Sequence, residues 1–149
     1  MKPFLDTGFL LSLVLEMRGS QTAWQLSRRF NEPLHLAHLQ RFHLENRLQR
    51  EIENAQSTAP QRAVAAGALN RLRRYVDELV FQSVPLEYDV ALHLAGQWQK
   101  QLSGDTPPAL LLLWPALAVT AGATHFFSFD PRPRQLAHAA GLKLVPERL

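Results

Sequence analysis

The sequence has 149 residues, the usual size of one domain, and its 46% apolar residues are enough to bury a core of its own. It has no cysteine, which excludes a disulfide framework, a thiolate metal site and a cysteine nucleophile, and fits a reducing, cytoplasmic setting. The formal charge is +3 and thirteen of the sixteen basic residues are arginine, so phosphate or carboxylate partners are allowed, although arginine-rich helices serve equally well as solvated surface.

Residues Pro3 to Asp6 form a short apolar run ending on an acid, and after Thr7-Gly8 the residues Phe9, Leu10, Leu13 and Val14 recur at helical spacing. A strand, a turn and a helix are predicted. Asp6 interrupts the apolar N-terminal run and Glu16-Met17-Arg18 follow where small cleavage-site residues would stand, so no export signal is read here. Gly19 is expected to stop the first helix and Ser20 to cap the next, with Ala23, Trp24, Leu26 and Phe30 on its apolar positions. Glu32-Pro33 breaks the chain before a second strand, Leu34 to Ala37.

A long polar helix is predicted from Leu39 to Ala55, with Phe42, Leu44, Leu48 and Ile52 as its apolar positions, and Asn54 to Pro60 reads as a loop. The next helix, Gln61 to Leu79, is expected to bury Val64, Leu69, Leu72, Val76 and Leu79, and Val80 to Val84 follows as a third strand. Tyr88 to Leu102 is helical, and Ser103 to Pro108 is a loop whose prolines start a wholly apolar helix. That apolar run, Ala109 to Ala123, is short of the roughly 20 residues that span a bilayer and carries Pro115, so it reads as a buried helix kinked at the proline. Gly122 ends it, Thr124 to Phe129 forms a strand leading to Asp130, a short helix runs through Arg134 to Ala140, and Leu142 to Val145 makes a last strand. Strands alternating with helices predict a single α/β domain over residues 1–149, with a central parallel β-sheet flanked by α-helices on both faces.

Asp6 and Asp130 each stand at the carboxyl end of a predicted strand, the edge where open α/β sheets bind ligands. If the strands are neighbours, the two carboxylates converge and call for a cation, and oxygen ligands of this kind suit Mg²⁺ or Mn²⁺. The alternative is that each aspartate caps the helix after it.

Leu5-Asp6-Thr7 with Leu10-Leu11 following, and Gly122 to Phe126 leading to Ser128-Phe129-Asp130, Arg132, Leu136-Ala137 and Ala139 to Leu142, resemble the opening and closing motifs of PIN domains. The resemblance covers essentially the full length. It implies a metal-dependent ribonuclease fold of the kind found in VapC-type toxins, with an acidic pocket whose ions activate water against an RNA phosphodiester. It places Asp6 and Asp130 in a metal site with Mg or Mn, with Thr7 supporting them.

The same resemblance locates two further acids, and here the chain departs from the pattern. The second falls on His43 in Phe42 to Leu48, and Glu45 lies about 200° further around the helix. The third falls on Leu111, with Trp114 where a histidine is common; Asp105 lies in the loop upstream. A unit charge pair at about 4 Å is worth roughly 4 kcal/mol at an effective dielectric near 20, so losing two carboxylates should weaken a divalent site by orders of magnitude. The leading expectation is a PIN-like protein with weak or absent cleavage that retains RNA binding, with Arg41, Arg47, Arg132 and Arg134 as candidate phosphate contacts. One alternative is an active ribonuclease that uses Asp6, His43 and Asp130 with Mn or another transition metal. Another is a protein-interaction module of a toxin-antitoxin-like system, with an antitoxin-like protein or a second copy of the chain, in a homodimer, as its partner.

Overall fold

The computed structural model of the chain describes residues 1–30, 32–102, 104 and 106–149. In chain order the elements are β1 (Pro3–Leu5), α1 (Thr7–Val14), α2 (Ser20–Ser27), β2 (Leu34–Ala37), α3 (His38–Glu53), α4 (Ala59–Asp77), β3 (Phe81–Val84), α5 (Tyr88–Gln101), α6 (Ala109–Thr120), β4 (His125–Phe127), α7 (Pro131–Ala139) and β5 (Lys143–Val145). The architecture is mixed α/β and every strand pairing is parallel. The pairings form a three-stranded sheet in the order β1-β4-β5 and a two-stranded sheet, β2-β3. The chain gathers into two compact units, residues 1–8 with 86–149, and residues 9–85. Among the described residues, no helix is long and apolar enough to cross a membrane.

The first unit is built on β4. Its residues Phe126 and Phe127 are at most 1% exposed, so both faces of the strand are covered, as expected for the middle strand of a parallel sheet. Phe4 of β1 pairs in register with Phe126 and stacks on it, with ring centroids 6.1 Å apart. Helix α6 packs against both α5 and α7. It is apolar all round and buried from Leu112 to Ala118, and it continues through Pro115, whose missing N–H leaves the Leu111 carbonyl without its usual helical donor. The helix ends at Gly122 (φ 66°), where the Gly122 and Ala123 amides return to the carbonyls of Val119 and Ala118. This left-handed closure fixes the turn into β4. In α5, the hydroxyl of Tyr88 is the one buried side-chain polar atom among the described residues without a hydrogen-bond partner.

The second unit packs α3 against α4 around Leu44, Leu48, Ala65, Leu69 and Leu72. Thr58 and Gln61 form a reciprocal capping box, with the Gln61 amide on Thr58 Oγ1 at 3.3 Å and the Thr58 amide on Gln61 Oε1 at 2.8 Å. This cap starts α4 at Ala59, two residues before the predicted start. The guanidinium of Arg71 donates to the Val14 carbonyl at the end of α1, and Tyr75 makes edge contacts with Trp24 and Phe81.

Several local expectations are corrected. Helix α1 stops at Val14, not at Gly19; Gly19 (φ 96°) precedes α2, while Ser20 is its first residue and uses its hydroxyl on the 15–17 turn. Phe42, Val64 and Leu79 have apolar spacing yet are 67%, 52% and 66% exposed, because the buried stripes run through Gln40, Leu44 and Leu48 in α3 and through Ala65, Ala68, Leu69 and Leu72 in α4, and Leu79 lies beyond the end of α4. Leu79 also has φ 57° and closes α4 as a left-handed residue, its amide on the Val76 carbonyl. A branched side chain there costs about 1–2 kcal/mol, part of which glycine returns as unfolded-state entropy. Leu79→Gly is therefore expected to raise stability by about 0.5–1 kcal/mol in thermal unfolding. A lower melting temperature would show that the leucine makes a contact worth more than this strain.

Candidate functional site

Parallel pairing of β1 with β4 brings the predicted strand-end acids to one sheet edge. Leu5 is in register with Phe127, and the Asp6 amide continues the ladder by donating to the Phe127 carbonyl at 3.0 Å. Asp6 therefore stands level with Ser128, and Asp130 lies two residues further along the neighbouring chain. Asp6 and Thr7 are 3% and 8% exposed, and Asp6 immediately precedes α1, where the helix N-terminus favours an anion.

The turn after β4 is held by side chains as well as backbone. Ser128 is fully buried; its amide bonds the Val145 carbonyl of β5, and its hydroxyl accepts the Asp130 amide at 3.0 Å. Asp130 then caps α7, with Oδ1 accepting the Arg132 amide at 2.9 Å, and Pro131 supplies the first helical residue. The same carboxylate is gripped from the side: Arg132 Nε reaches Oδ1 at 3.1 Å and Nη2 reaches Oδ2 at 2.8 Å. These side-chain bonds, aided by the Arg132 amide and charge, outweigh burial and hold the Asp130 carboxyl below its ordinary range. It stays ionised throughout the neutral range.

Arg134 does not take the phosphate-facing position expected of it. It is 5% exposed, and its guanidinium donates to the carbonyls of Ser128 (2.8 Å), Pro146 (2.6 Å) and Glu147 (3.3 Å), tying the site turn to the segment after β5. Burial works against its charge and the Asp6 carboxylate works in favour of it. Arg132, the other candidate from this turn, is engaged with Asp130. On α6, Leu111 is half-buried and presents a hydrocarbon side chain at the position of an expected acid, and Trp114 is 1% exposed. Asp105 lies outside the described residues.

The remaining candidates belong to the second unit. His43 is half-buried on α3, and burial, with the charge of Arg47 behind it, lowers its pKa, so the imidazole is neutral at pH 7. Arg41 pairs with Glu45 at 2.9 Å one turn on, which engages the only carboxylate near the second expected acid in sequence. Arg47 is exposed and borders two surface depressions. One, of about 480 Å³, is shared with Arg50, Glu51, Glu53 and Asn54; the other, of about 410 Å³, has Leu48, Val64 and Ala65 on its apolar side.

Mg²⁺ and Mn²⁺ require several free oxygen ligands. Both oxygens of Asp130 are committed to Arg132, and Leu111 offers none. Among the described residues no group of three or more His, Asp or Glu side chains could hold a metal ion. The donor set among the described residues therefore does not fit a divalent centre. Sequence reading found the two aspartates but missed Ser128 and the clamp of Arg132 on Asp130. The Asp-Pro pair at a helix start was the available signal for a cap. No family model matches the chain, and no curated protein matches it significantly.

Proposed function

We propose that this chain is a PIN-like protein, related to the toxin-type metal-dependent ribonucleases, that binds RNA and cleaves it weakly or not at all. The reading takes the parallel strands to be of the family's kind, with helices on both faces. The observation that carries it is the state of the strand-end acids. They stand where a divalent site would be built, yet Asp130 is capped and paired by its own chain and an apolar leucine stands where a further ligand is expected. On this reading, a sheet edge so equipped has strand-end acids without the ligands that activate water.

RNA affinity then rests on cations not spent inside the fold. Of the four arginines considered, Arg134 is buried, Arg132 holds Asp130 and Arg41 holds Glu45, so Arg47 carries most of the expected contact, with Arg50 beside it. For two phosphate contacts, raising the salt from about 50 to about 200 mM should weaken binding of a short single-stranded RNA by roughly tenfold. Arg47→Glu should weaken it comparably at the lower salt, and fluorescence anisotropy reads both. Absence of RNA affinity at low salt would remove this function and leave a protein partner as the better reading, with the exposed Phe42 and Val64 as its first candidates.

A further inference from the structure

Two carboxylates at one sheet edge need positive charge from some source. The turn that follows β4 supplies it from within the chain, in the run Asp130-Pro131-Arg132-Pro133-Arg134. Pro131 and Pro133 fix two backbone angles in the first turn of α7, and the arginines between and after them are held in place with little conformational freedom left to lose. Arg134 turns inward and is anchored on three carbonyls, while Arg132 lies back over the carboxylate two residues before it.

We propose that Arg132 is the resident counter-ion of Asp130, closing by its guanidinium fork the carboxylate face that a divalent cation would use. The geometry is specific to this role. Asp130 Oδ1 accepts two bonds, from the amide and Nε of Arg132, and Oδ2 accepts Nη2, so each oxygen is directed at the same residue. A planar fork satisfies both oxygens at once, which neither a lysine nor water does in the same way. The pair sits at the surface, with the Arg132 side chain 58% and the Asp130 side chain 28% exposed, so the closure is a lid over the acid and not part of the packed interior. Removing the lid therefore leaves the fold standing while it bares the Asp130 carboxylate.

The test is a titration of the intact chain with Mn²⁺ alone, followed by the electron paramagnetic resonance of the free ion. Arg132→Ala should bind Mn²⁺ roughly tenfold more tightly than the parent, because one positive charge has gone and two oxygens have been freed. Arg132→Gln removes the charge while keeping most of the stem, and reads the same way should alanine disturb α7. Adding Asp130→Asn to either variant should return the affinity to that of the parent. Variants that bind no more tightly than the parent would overturn the assignment, as would a gain that survives Asp130→Asn. RNA affinity plays no part in this readout, so it stands apart from the proposed function.

Discussion

Arg134→Met is expected to destabilise the chain by about 3 kcal/mol, measured as a shift in the urea unfolding midpoint at constant slope. Methionine keeps the aliphatic bulk, so the loss isolates the guanidinium. Its removal strips charged donors from the carbonyls of Ser128, Pro146 and Glu147 and takes a cation from the neighbourhood of the buried Asp6. Leaving a buried charge or acceptor uncompensated costs more than the bond was worth in making it. Arg132→Ala, two residues away, should cost about 0.5 kcal/mol or less, because its ion pair is solvated and screened. The contrast between these two arginines checks the local geometry: similar costs for both would contradict it, as would a loss below about 1 kcal/mol for Arg134→Met.

Most of the element order was legible in the sequence because each signal had a local cause. Gly122 ends a helix with a left-handed residue, and the aromatic run around Phe126-Phe127 marks a strand. The place of Asp6 directly after β1 was legible for the same reason, whereas the strand read as far as Phe129 ends at Phe127 and leaves Asp130 as the cap of α7. The site's internal economy was not. Arg134 reads as surface because arginine is seldom fully buried, and the carbonyls that receive it at Pro146 and Glu147 lie beyond the next strand. The capping and metal readings of Asp130 use the same residue at the same spacing, and only the side-chain geometry distinguishes them: the cap is formed, and Arg132 holds both oxygens. Leu79 failed for a different reason, since helical periodicity places it on the buried stripe but the helix closes at Glu78 and turns it outward.

The candidate site also shows why counting acids is a weaker guide than accounting for their partners. Asp6 and Asp130 both stand near one edge of the sheet, and on composition alone they could belong to a divalent centre. Glu45 is similarly present in the helix where an acid is expected, but it is paired with Arg41. Each of these contacts is modest in energy because it is partly exposed. Their consequence for chemistry is larger, since a guanidinium beside a carboxylate sets a positive charge against any divalent cation that approaches the same oxygens.

The most direct test of the proposed function is RNA cleavage by the purified parent chain in Mg²⁺, Mn²⁺ and Ni²⁺, measured beside Asp6→Asn. On the proposed reading, two of the family's ligating carboxylates are missing, which should reduce metal-dependent turnover by several orders of magnitude. The expected result is RNA that is bound yet cut no faster by the parent than by Asp6→Asn in any of the three metals. Cleavage by the parent that rises with Mn²⁺ or Ni²⁺ and disappears in Asp6→Asn would contradict it, and would establish a working transition-metal nuclease in its place.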